Sequence, residues 1–429
     1  FLEILKKSEP GFILDNKKVI TDISISPKGN YCAIITKPDG TLLSGEGWSN
    51  VEILDLRSGT SKMVTESGWR KDHPAPYGWL ENLAWPVDEK SIAFTVAFDG
   101  YPAEIYIYNN EKDPYLYKVN RPDNIHISTN LYWRGNTNEL CFLAEEKARR
   151  RVYSFRNLKQ ESKPIIKTIT PGDVVVNSFS FNRNGNTMVA SITKPDRQAD
   201  IYTVSSSGGY KRLTNINPQI DNWKKPNISL VSWAGANGDL VEGILELPPD
   251  YNNDNPLPLV VIIHGGPTSA ALYQFRYWIY GRTLLSSKGY ATLSPNYRGS
   301  TGYGDKFMVD LIGNENDIDV EDILAGVDAM IEKGIADPKR LGVMGWSNGG
   351  FLTNCIITAD NRFKAASSGA GVIDQVMQWG IEDTPGHVIN YMTGLPWDVP
   401  KEYSLGSPLY SLNKVTTPTL IHVGEYDER

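Results

Sequence analysis

Residues 341–350 constrain the fold of this chain more than any other stretch, because they place a serine between glycines at a sharp turn. Residues 341–344 form a short apolar run, and the next six residues are Gly-Trp-Ser-Asn-Gly-Gly. Glycines lack a Cβ atom, so the backbone can turn tightly and pack closely around the serine. The pattern predicts a strand, a turn at Ser347 and a helix that begins near Gly349. The free N–H groups of that helix favour negative charge beside the serine hydroxyl.

The pattern Gly-x-Ser-x-Gly between a strand and a helix is that of the nucleophile elbow in α/β-hydrolases. A glycine-rich structural turn can match the same five residues by chance. The rest of the sequence decides between these two interpretations.

Length and composition indicate a globular protein with two domains. The chain has 429 residues, of which 40% are hydrophobic and 22% are charged, and its net charge is −7. This length exceeds that of one ordinary domain. The negative charge argues against a nucleic-acid partner, and no apolar stretch is long enough to span a membrane. We expect the one basic run, residues 147–151, to form a solvated hairpin end.

The cysteines and the start of the chain say little about its location. The three cysteines are scattered, and each lies in an apolar run, so we expect buried thiols and neither a disulfide framework nor a metal site: Cys32, Cys141 and Cys355. The chain begins with Phe1 and shows no signal peptide, so we expect its start to have been trimmed. Both a cytoplasmic and a periplasmic location stay possible.

The first half of the sequence contains a weak repeat. A polar turn followed by an apolar strand recurs around Pro27, Pro86, Trp133 and Asn182, at intervals of 59, 47 and 49 residues. This period is typical of four-stranded propeller blades. We therefore predict a β-propeller, possibly an incomplete one, over residues 1–226, with about four visible blades. A β-sandwich of similar hairpins is the alternative.

The second half, residues 227–429, alternates apolar strands with helical stretches, which predicts a doubly wound, mostly parallel sheet. A continuous apolar run such as residues 259–263 is expected of a strand that is covered on both faces. The predicted elements are a hairpin at 228–233 and 240–247, strands at 259–263, 290–294 and 419–423, and an amphipathic helix at 319–333 that begins near Asp319.

Two loops at the ends of these strands could carry chemistry. The residues His264, Gly265, Gly266 and Pro267 directly follow the strand at 259–263. The two glycines allow a backbone N–H to approach a ligand, as an oxyanion hole requires. The glycine-rich loop 296–304 follows the next strand, where it could line the site or serve a structural role.

Four segments together resemble the prolyl oligopeptidase family of serine peptidases. They stand in the order of that family, and the form of the first is most similar to its acylaminoacyl-peptidase and dipeptidyl-peptidase branches: residues 264–267, 296–304, 345–350 and 417–429. Before residue 229 the resemblance is architectural only, because a propeller precedes the hydrolase domain in this family.

The resemblance implies a role for several residues. Ser347 is the implied nucleophile and Asp427 the implied acid of the catalytic triad, while Gly266 and Asn348 supply the oxyanion N–H groups. Residues near these positions are candidates for the substrate pocket: His264, Tyr297, Arg298 and Trp346. In dipeptidyl peptidases of the family, two acidic side chains of the propeller bind the substrate amino group. The pair Glu145 and Glu146 is better explained as part of an exposed charged hairpin.

The triad histidine is not found where the family order places it. Hydrolases of this kind carry serine, then aspartate, then histidine, and no histidine follows Asp427 in this sequence. His422 is expected to pack within its strand, and His387 is a weak alternative near the substrate. We therefore expect a chain cut before its histidine, or a separate C-terminal fragment that supplies it. Residues 1–429 alone would then be inactive and poorly soluble, with apolar surface exposed beside residues 419–421.

The function expected from this resemblance is cleavage of short peptides near their N-terminus through an acyl-enzyme. No cofactor, metal, nucleic acid or membrane is expected, and a homo-oligomer is possible. Two alternatives stay open at this point: an esterase on the same fold, and a non-catalytic peptide-binding propeller protein with an inactive hydrolase domain.

Overall fold

The computed structural model describes residues 18–38, 49–65, 78–128, 130–135, 137–252, 255–277 and 281–427. The strands of these ranges are β1 (Lys18–Ile25), β2 (Tyr31–Pro38), β3 (Asn50–Asp55), β4 (Ser61–Met63), β5 (Trp79–Ala84), β6 (Ser91–Phe98), β7 (Tyr101–Asn109), β8 (Tyr115–Lys118), β9 (His126–Ile127), β10 (Tyr132–Trp133), β11 (Leu140–Glu146), β12 (Arg149–Arg156), β13 (Ile165–Thr168), β14 (Val175–Phe181), β15 (Met188–Lys194), β16 (Arg197–Val204), β17 (Tyr210–Arg212), β18 (Asn227–Ala234), β19 (Leu240–Leu247), β20 (Leu257–Ile263), β21 (Ala291–Asn296), β22 (Ala336–Trp346), β23 (Phe363–Gly369) and β24 (Thr419–His422).

The helices of the described ranges all lie after β20. They are α1 (Arg282–Ser287), α2 (Asp305–Val309), α3 (Ile318–Glu332), α4 (Asn348–Ala359), α5 (Gln375–Ile381), α6 (Pro385–Met392) and α7 (Pro400–Leu405). Short 3-10 turns cover Pro218–Asn222, Ala236–Gly238 and Pro408–Lys414.

The first half consists of antiparallel sheets whose strands follow one another along the chain. Strands β1 to β4 form one sheet and β5 to β8 a second, while β9 to β17 are joined into a third through one parallel pairing of Arg150 with Val175. Each turn that the repeat predicts is followed by an inner strand, namely β2, β6, β11 and β15. Consecutive residues of β2, β6 and β11 are buried, because successive side chains of a strand point to opposite sides and both sides of these strands are covered.

Apolar side chains pack the successive sheets face to face. One cluster joins Ile35 of the first sheet to Phe94 of the second, and a second cluster joins Ile105 to Phe142 of the third. A further cluster within the third sheet brings Leu143 against Ile192. The second sheet thus packs one face on the first sheet and the other on the third, as the blades of a propeller do. The predicted burial of the three cysteines is also confirmed.

The second half contains one seven-stranded sheet with the order β18-β19-β21-β20-β22-β23-β24. The pairings from β21 to β24 are parallel, and those of β18 and β19 are antiparallel, which confirms the mostly parallel sheet and the N-terminal hairpin. The helix predicted at 319–333 is α3, whose Val327 packs with Leu352 of α4 into the core around the sheet. None of the described helices is long and apolar enough to cross a membrane.

The end of the basic hairpin lies against the second half, so the prediction of a solvated hairpin end was wrong. The Lys147 N–H donates to the Gly302 carbonyl oxygen at 2.9 Å, and the side chain of Ala148 is buried. The Thr301 hydroxyl donates to the carboxylate of Glu145, which lies buried between the two halves. Glu145 is therefore not part of an exposed hairpin. Burial raises the pKa of Glu145. Sequence reasoning missed this because the covering loop lies about 150 residues further along the chain.

Candidate active site

Ser347 occupies a strained turn between β22 and α4. Its φ of 58° and ψ of −125° lie outside the regions that residues with a side chain normally adopt. The turn is held by its backbone: the Ser347 N–H donates to the Gly369 carbonyl at 2.9 Å, and its carbonyl accepts from the Phe351 N–H at 3.0 Å. The hydroxyl does not cap the helix and the residue is exposed, so the side chain is available for chemistry.

The glycines around Ser347 are required by close packing of the backbone. A Cβ atom at Gly345 would lie 2.3 Å from the Gly349 carbonyl oxygen, and one at Gly349 would lie 2.3 Å from that of Ile263. A Cβ atom at Gly350 would meet the carbonyl oxygen of Gly369 at the same distance. The spacing of glycines in the sequence thus has the physical cause that the pattern predicted.

The loop after β20 lies directly against this turn. A Cβ atom at Gly265 would be 2.9 Å from the Trp346 carbonyl oxygen and 3.3 Å from the Ser347 Cβ. Gly266 has a φ of 131° and borders the same cavity as Ser347 and Asn348. Asn348 is the first residue of α4, so its N–H has no acceptor within the helix. The two N–H groups proposed for the oxyanion hole therefore belong to segments in contact with each other.

Side chains behind the loop fix its position. The Tyr297 hydroxyl donates to the His264 carbonyl at 2.8 Å and accepts from the Asn348 side-chain amide at 3.1 Å. The His264 ring stacks on Tyr297 with a centroid distance of 4.5 Å, and burial lowers its pKa to about 4, so the ring is neutral. Its Nδ1–H donates to the Gly265 carbonyl at 2.8 Å, which leaves Nε2 to accept from the Ser300 hydroxyl at 2.9 Å. His264 and Tyr297 thus support the loop after β20 from behind.

Arg298 is placed elsewhere than the substrate pocket suggested by the sequence. Only 1% of the residue is exposed, and its guanidinium and backbone N–H both bond to the carboxylate of Asp322 on α3. This buried ion pair ties loop 296–304 to the helix, which favours the structural role of the loop. Trp346 is 48% exposed and packs edge-on against His422 at 5.2 Å, beside the turn.

The register of three strands brings Ser347 and Asp427 to the same edge of the sheet. Trp346 of β22 pairs with Gly369 of β23, and Gly369 pairs with His422 of β24. Ser347 directly follows the first of these residues, and Asp427 lies five residues after the last. Since the carboxyl ends of neighbouring parallel strands meet at one edge, the two residues project from the same side of the sheet.

A cavity of about 160 Å³ opens beside Ser347, with Gly266 of the loop after β20 on one side. Its other side carries three acidic residues that the sequence did not point to, namely Asp99, Glu315 and Glu382. His387, which the sequence analysis did consider, lies beside them. Asp99 comes from the tip of the β6–β7 hairpin in the first half, and the other three come from separate segments of the second half. No local pattern connects these residues, so only the folded structure brings them together.

His387 is held as a cation in this cavity. Its Nδ1 lies 3.3 Å from a carboxylate oxygen of Asp99. Burial acts to lower the pKa of His387, but the hydrogen bond and charge of Asp99, with smaller contributions from Glu382 and Glu315, raise it to about 9. The ring therefore carries a proton at neutral pH and cannot readily accept another from Ser347.

Known proteins resemble this chain in both sequence and structure. Residues 276–429 match the sequence model described as the prolyl oligopeptidase family. The chain is 34% identical to the uncharacterized peptidase YuxL of Bacillus subtilis, over 59% of this chain and 39% of the relative. It is 39% identical to the acylamino-acid-releasing enzyme of Arabidopsis thaliana, over 40% of this chain and 23% of that enzyme. The chain thus spans well under half the length of these relatives.

The structure is similar to that of a puromycin-hydrolyzing peptidase of Mycobacterium tuberculosis. The TM-score is 0.69 at 21% identity, and the match covers 96% of this chain and 64% of that one. This likeness concerns the fold and confirms the predicted class, a β-propeller followed by an α/β-hydrolase domain. The sequence match to the model of the prolyl oligopeptidase family covers residues 276–429, the segment that contains Ser347.

Proposed function

We propose that this chain carries the nucleophile and oxyanion hole of a serine peptidase that cleaves short peptides, with Ser347 as nucleophile. The observation that carries the proposal is the Ser347 turn. The serine has a strained backbone, its hydroxyl does not bond to the helix that follows, and the glycine loop at 265–266 lies against it. Residues held in such sparsely populated backbone conformations cluster at active sites. We also propose that the domains divide between residues 226 and 227.

In the proposed reaction, the Ser347 Oγ attacks the carbonyl carbon of the scissile bond. The N–H groups of Gly266 and Asn348 then hold the oxyanion of the tetrahedral intermediate. We assign the proton acceptor to a histidine oriented by Asp427 and not to His387, because His387 is already protonated at neutral pH. The leaving amine takes the proton from that histidine, and water then releases the acyl group from Ser347.

Labelling with a fluorophosphonate probe tests the assignment of the nucleophile. The full-length protein is purified and treated with the probe, and the labelled residue is identified by peptide mapping. We expect labelling at Ser347 and none in Ser347→Ala. The matched control is Ser404→Ala, which removes an exposed serine of α7 and should leave labelling unchanged. A folded wild-type protein that is not labelled at Ser347 would rule the assignment out.

A further inference from the structure

The loop after β20 carries the proposed oxyanion donor, the N–H of Gly266, and hydrogen bonds hold this loop on both sides of that residue. Before Gly266, the His264 carbonyl accepts from the Tyr297 hydroxyl at 2.8 Å. After it, the Thr268 hydroxyl accepts from the backbone N–H of Gly100 at 2.9 Å. The first bond lies within the second half of the chain, whereas the donor of the second bond belongs to the first half.

Gly100 lies at the tip of the β6–β7 hairpin, in close contact with the second half. Its φ is 83°, which glycine adopts more readily than other residues. A Cβ atom at Gly100 would lie 3.1 Å from the Tyr391 Cε1 and 3.2 Å from the Ile312 Cδ1. The preceding residue, Asp99, pairs with His387 of α6. The hairpin tip is thus fitted against the second half by its backbone and by an ion pair.

The Thr268 hydroxyl joins the hairpin tip to α6 as well as to the loop. It shares a hydrogen bond of 2.8 Å with the hydroxyl of Tyr391 on α6. Tyr391 is only 1% exposed and Gly100 is buried, so water cannot readily replace these two bonds. Because a buried donor or acceptor that loses its partner is costly, the three groups should stay together.

A displacement of Thr268 should also displace Gly266. A Cβ atom at Gly266 would lie 2.7 Å from the backbone nitrogen of Thr268, so the two backbones are in close contact. The residue between them, Pro267, is buried, and its ring fixes its φ. Misplacement of a catalytic group by about 1 Å can lower a rate on the order of 10²-fold. The position of the Thr268 side chain therefore matters for the N–H of Gly266.

We propose that Thr268 is a positioning residue, whose hydroxyl couples the hairpin tip of the first half to the N–H of Gly266. This inference rests on the proposed function, because it takes Gly266 as an oxyanion donor. The first half then raises the rate by fixing that donor. Since the donor acts on the oxyanion of the intermediate more than on the bound substrate, losing the Thr268 hydroxyl should lower kcat and leave KM nearly unchanged.

Substitutions of Thr268 in the full-length protein test this coupling. Thr268→Val keeps the branched shape of the side chain and removes the hydroxyl. We expect kcat for a short peptide p-nitroanilide to fall on the order of 10-fold, with KM within about twofold of the wild type. Thr268→Ser retains the hydroxyl and should recover most of kcat. An unchanged kcat in Thr268→Val, or a loss of kcat/KM that lies in KM, would overturn the proposal.

A change at the hairpin tip tests whether the effect originates in the first half. Gly100→Ala places a methyl group against the Tyr391 ring and should also lower kcat. The control is Gly29→Ala, another glycine of the first half with a positive φ, which has nothing within 4 Å of its Cβ position and should leave kcat unchanged. If the tip acts through Thr268, the double variant Thr268→Val, Gly100→Ala is no less active than the weaker single variant. Losses that multiply would contradict the coupling.

Hydrogen exchange separates failure of this inference from failure of the proposed function. Exchange of backbone amides is followed by mass spectrometry in peptides that contain residues 99–101 and 264–268. We expect faster exchange of both peptides in Thr268→Val than in the wild type, and slow exchange again in Thr268→Ser. If Ser347 is not labelled and no substrate is cleaved, the proposed function fails, and exchange alone decides the coupling. Equal exchange of either peptide in the wild type and Thr268→Val would then refute it.

Discussion

The N–H of Gly266 is the proposed oxyanion donor of the loop after β20, and the conformation of this residue excludes most side chains. Its φ is 131°, and a Cβ atom would lie 2.7 Å from the Thr268 backbone nitrogen. We predict that Gly266→Ala lowers kcat by about 10²–10³, the loss typical of one displaced oxyanion donor. Rates of peptide hydrolysis measured on the purified variant check this.

The control for that change is another glycine with a positive φ. Gly289 has a φ of 90° and nothing within 4 Å of its Cβ position. Gly289→Ala introduces strain of the same kind but lies outside the site, so it should lower stability by roughly 1 kcal/mol and leave kcat unchanged. Similar activities of the two variants would mean that the loop after β20 is not the oxyanion loop.

At the scale of single residues, sequence reasoning succeeded where one local pattern requires one conformation. The glycines around Ser347 are required by backbone contacts within the turn and with β20 and β23, and the sequence displays these glycines together. Arg298 is different, because its partner Asp322 lies on a helix that the sequence reveals only as amphipathic. No local sequence pattern predicts that Glu315 and Glu382 line the same cavity, because this depends on how the segments that contain them pack.

At the scale of elements, α6 and the β6–β7 hairpin are joined across the cavity. His387 on α6 pairs with Asp99 at the hairpin tip, and the Asn390 side chain donates to the Asp99 carbonyl at 3.1 Å. The neighbouring Gly100 N–H donates at 2.9 Å to the Thr268 hydroxyl, which also contacts the Tyr391 hydroxyl at 2.8 Å. The hairpin tip is therefore bonded both to α6 and to the loop after β20.

The pair of His387 with Asp99 should make stability depend on pH. The pKa of His387 rises from 6.5 to about 9 on folding, so its contribution is complete below pH 6.5 and is lost as the pH rises through 9. We predict that His387→Gln lowers the Tm by about 2–4 °C at pH 6 and by much less at pH 10. The value at pH 6 corresponds to a loss of about 1 kcal/mol in the free energy of unfolding.

Thermal unfolding of the wild type and the variant at both pH values provides the measurement. Glu315 and Glu382 also face His387, and the raised pKa of Glu315 affects the stability of both proteins between pH 6 and 10. The difference between the two proteins is therefore the quantity to compare at each pH. A Tm difference that does not shrink with rising pH would show that His387 is not charged in the folded protein.

At the scale of the whole molecule, the repeat and the alternation of strands and helices predicted both architectures. The contacts between the two halves were not predicted, because each joins residues far apart in the sequence. Arg121 of the first half forms two hydrogen bonds, of 2.9 and 3.0 Å, with Asp305 at the start of α2, and it also pairs with Glu104. The periodicity of each segment indicates which face is buried and not which distant partner covers it.

We predict that these contacts between the two halves make the proposed peptidase favour short substrates. We expect a long unfolded chain to enter the cavity only when the two halves separate, and a short peptide to enter without that motion. Removing the Thr301 hydroxyl takes a hydrogen bond from buried Glu145, at a cost of about 1–3 kcal/mol, although the ion pair of Glu145 with Arg150 at 3.5 Å remains. Removing Arg121 takes the nearer of two cations from buried Glu104 and leaves Lys118 at 3.7 Å, so the cost is below the roughly 3–5 kcal/mol of a fully unpaired buried charge.

We therefore predict that the double variant Arg121→Met, Thr301→Val loses part of the preference for short peptides while still cleaving them. The measurement is the ratio of kcat/KM for a short peptide to that for an unfolded protein, below the Tm of the variant. Lys224→Met serves as control, because the Lys224–Asp250 ion pair is largely exposed and contributes about 0–1 kcal/mol. If the double variant keeps the wild-type ratio, the contacts at Arg121 and Thr301 do not control access to Ser347, because loosening them would otherwise admit longer chains.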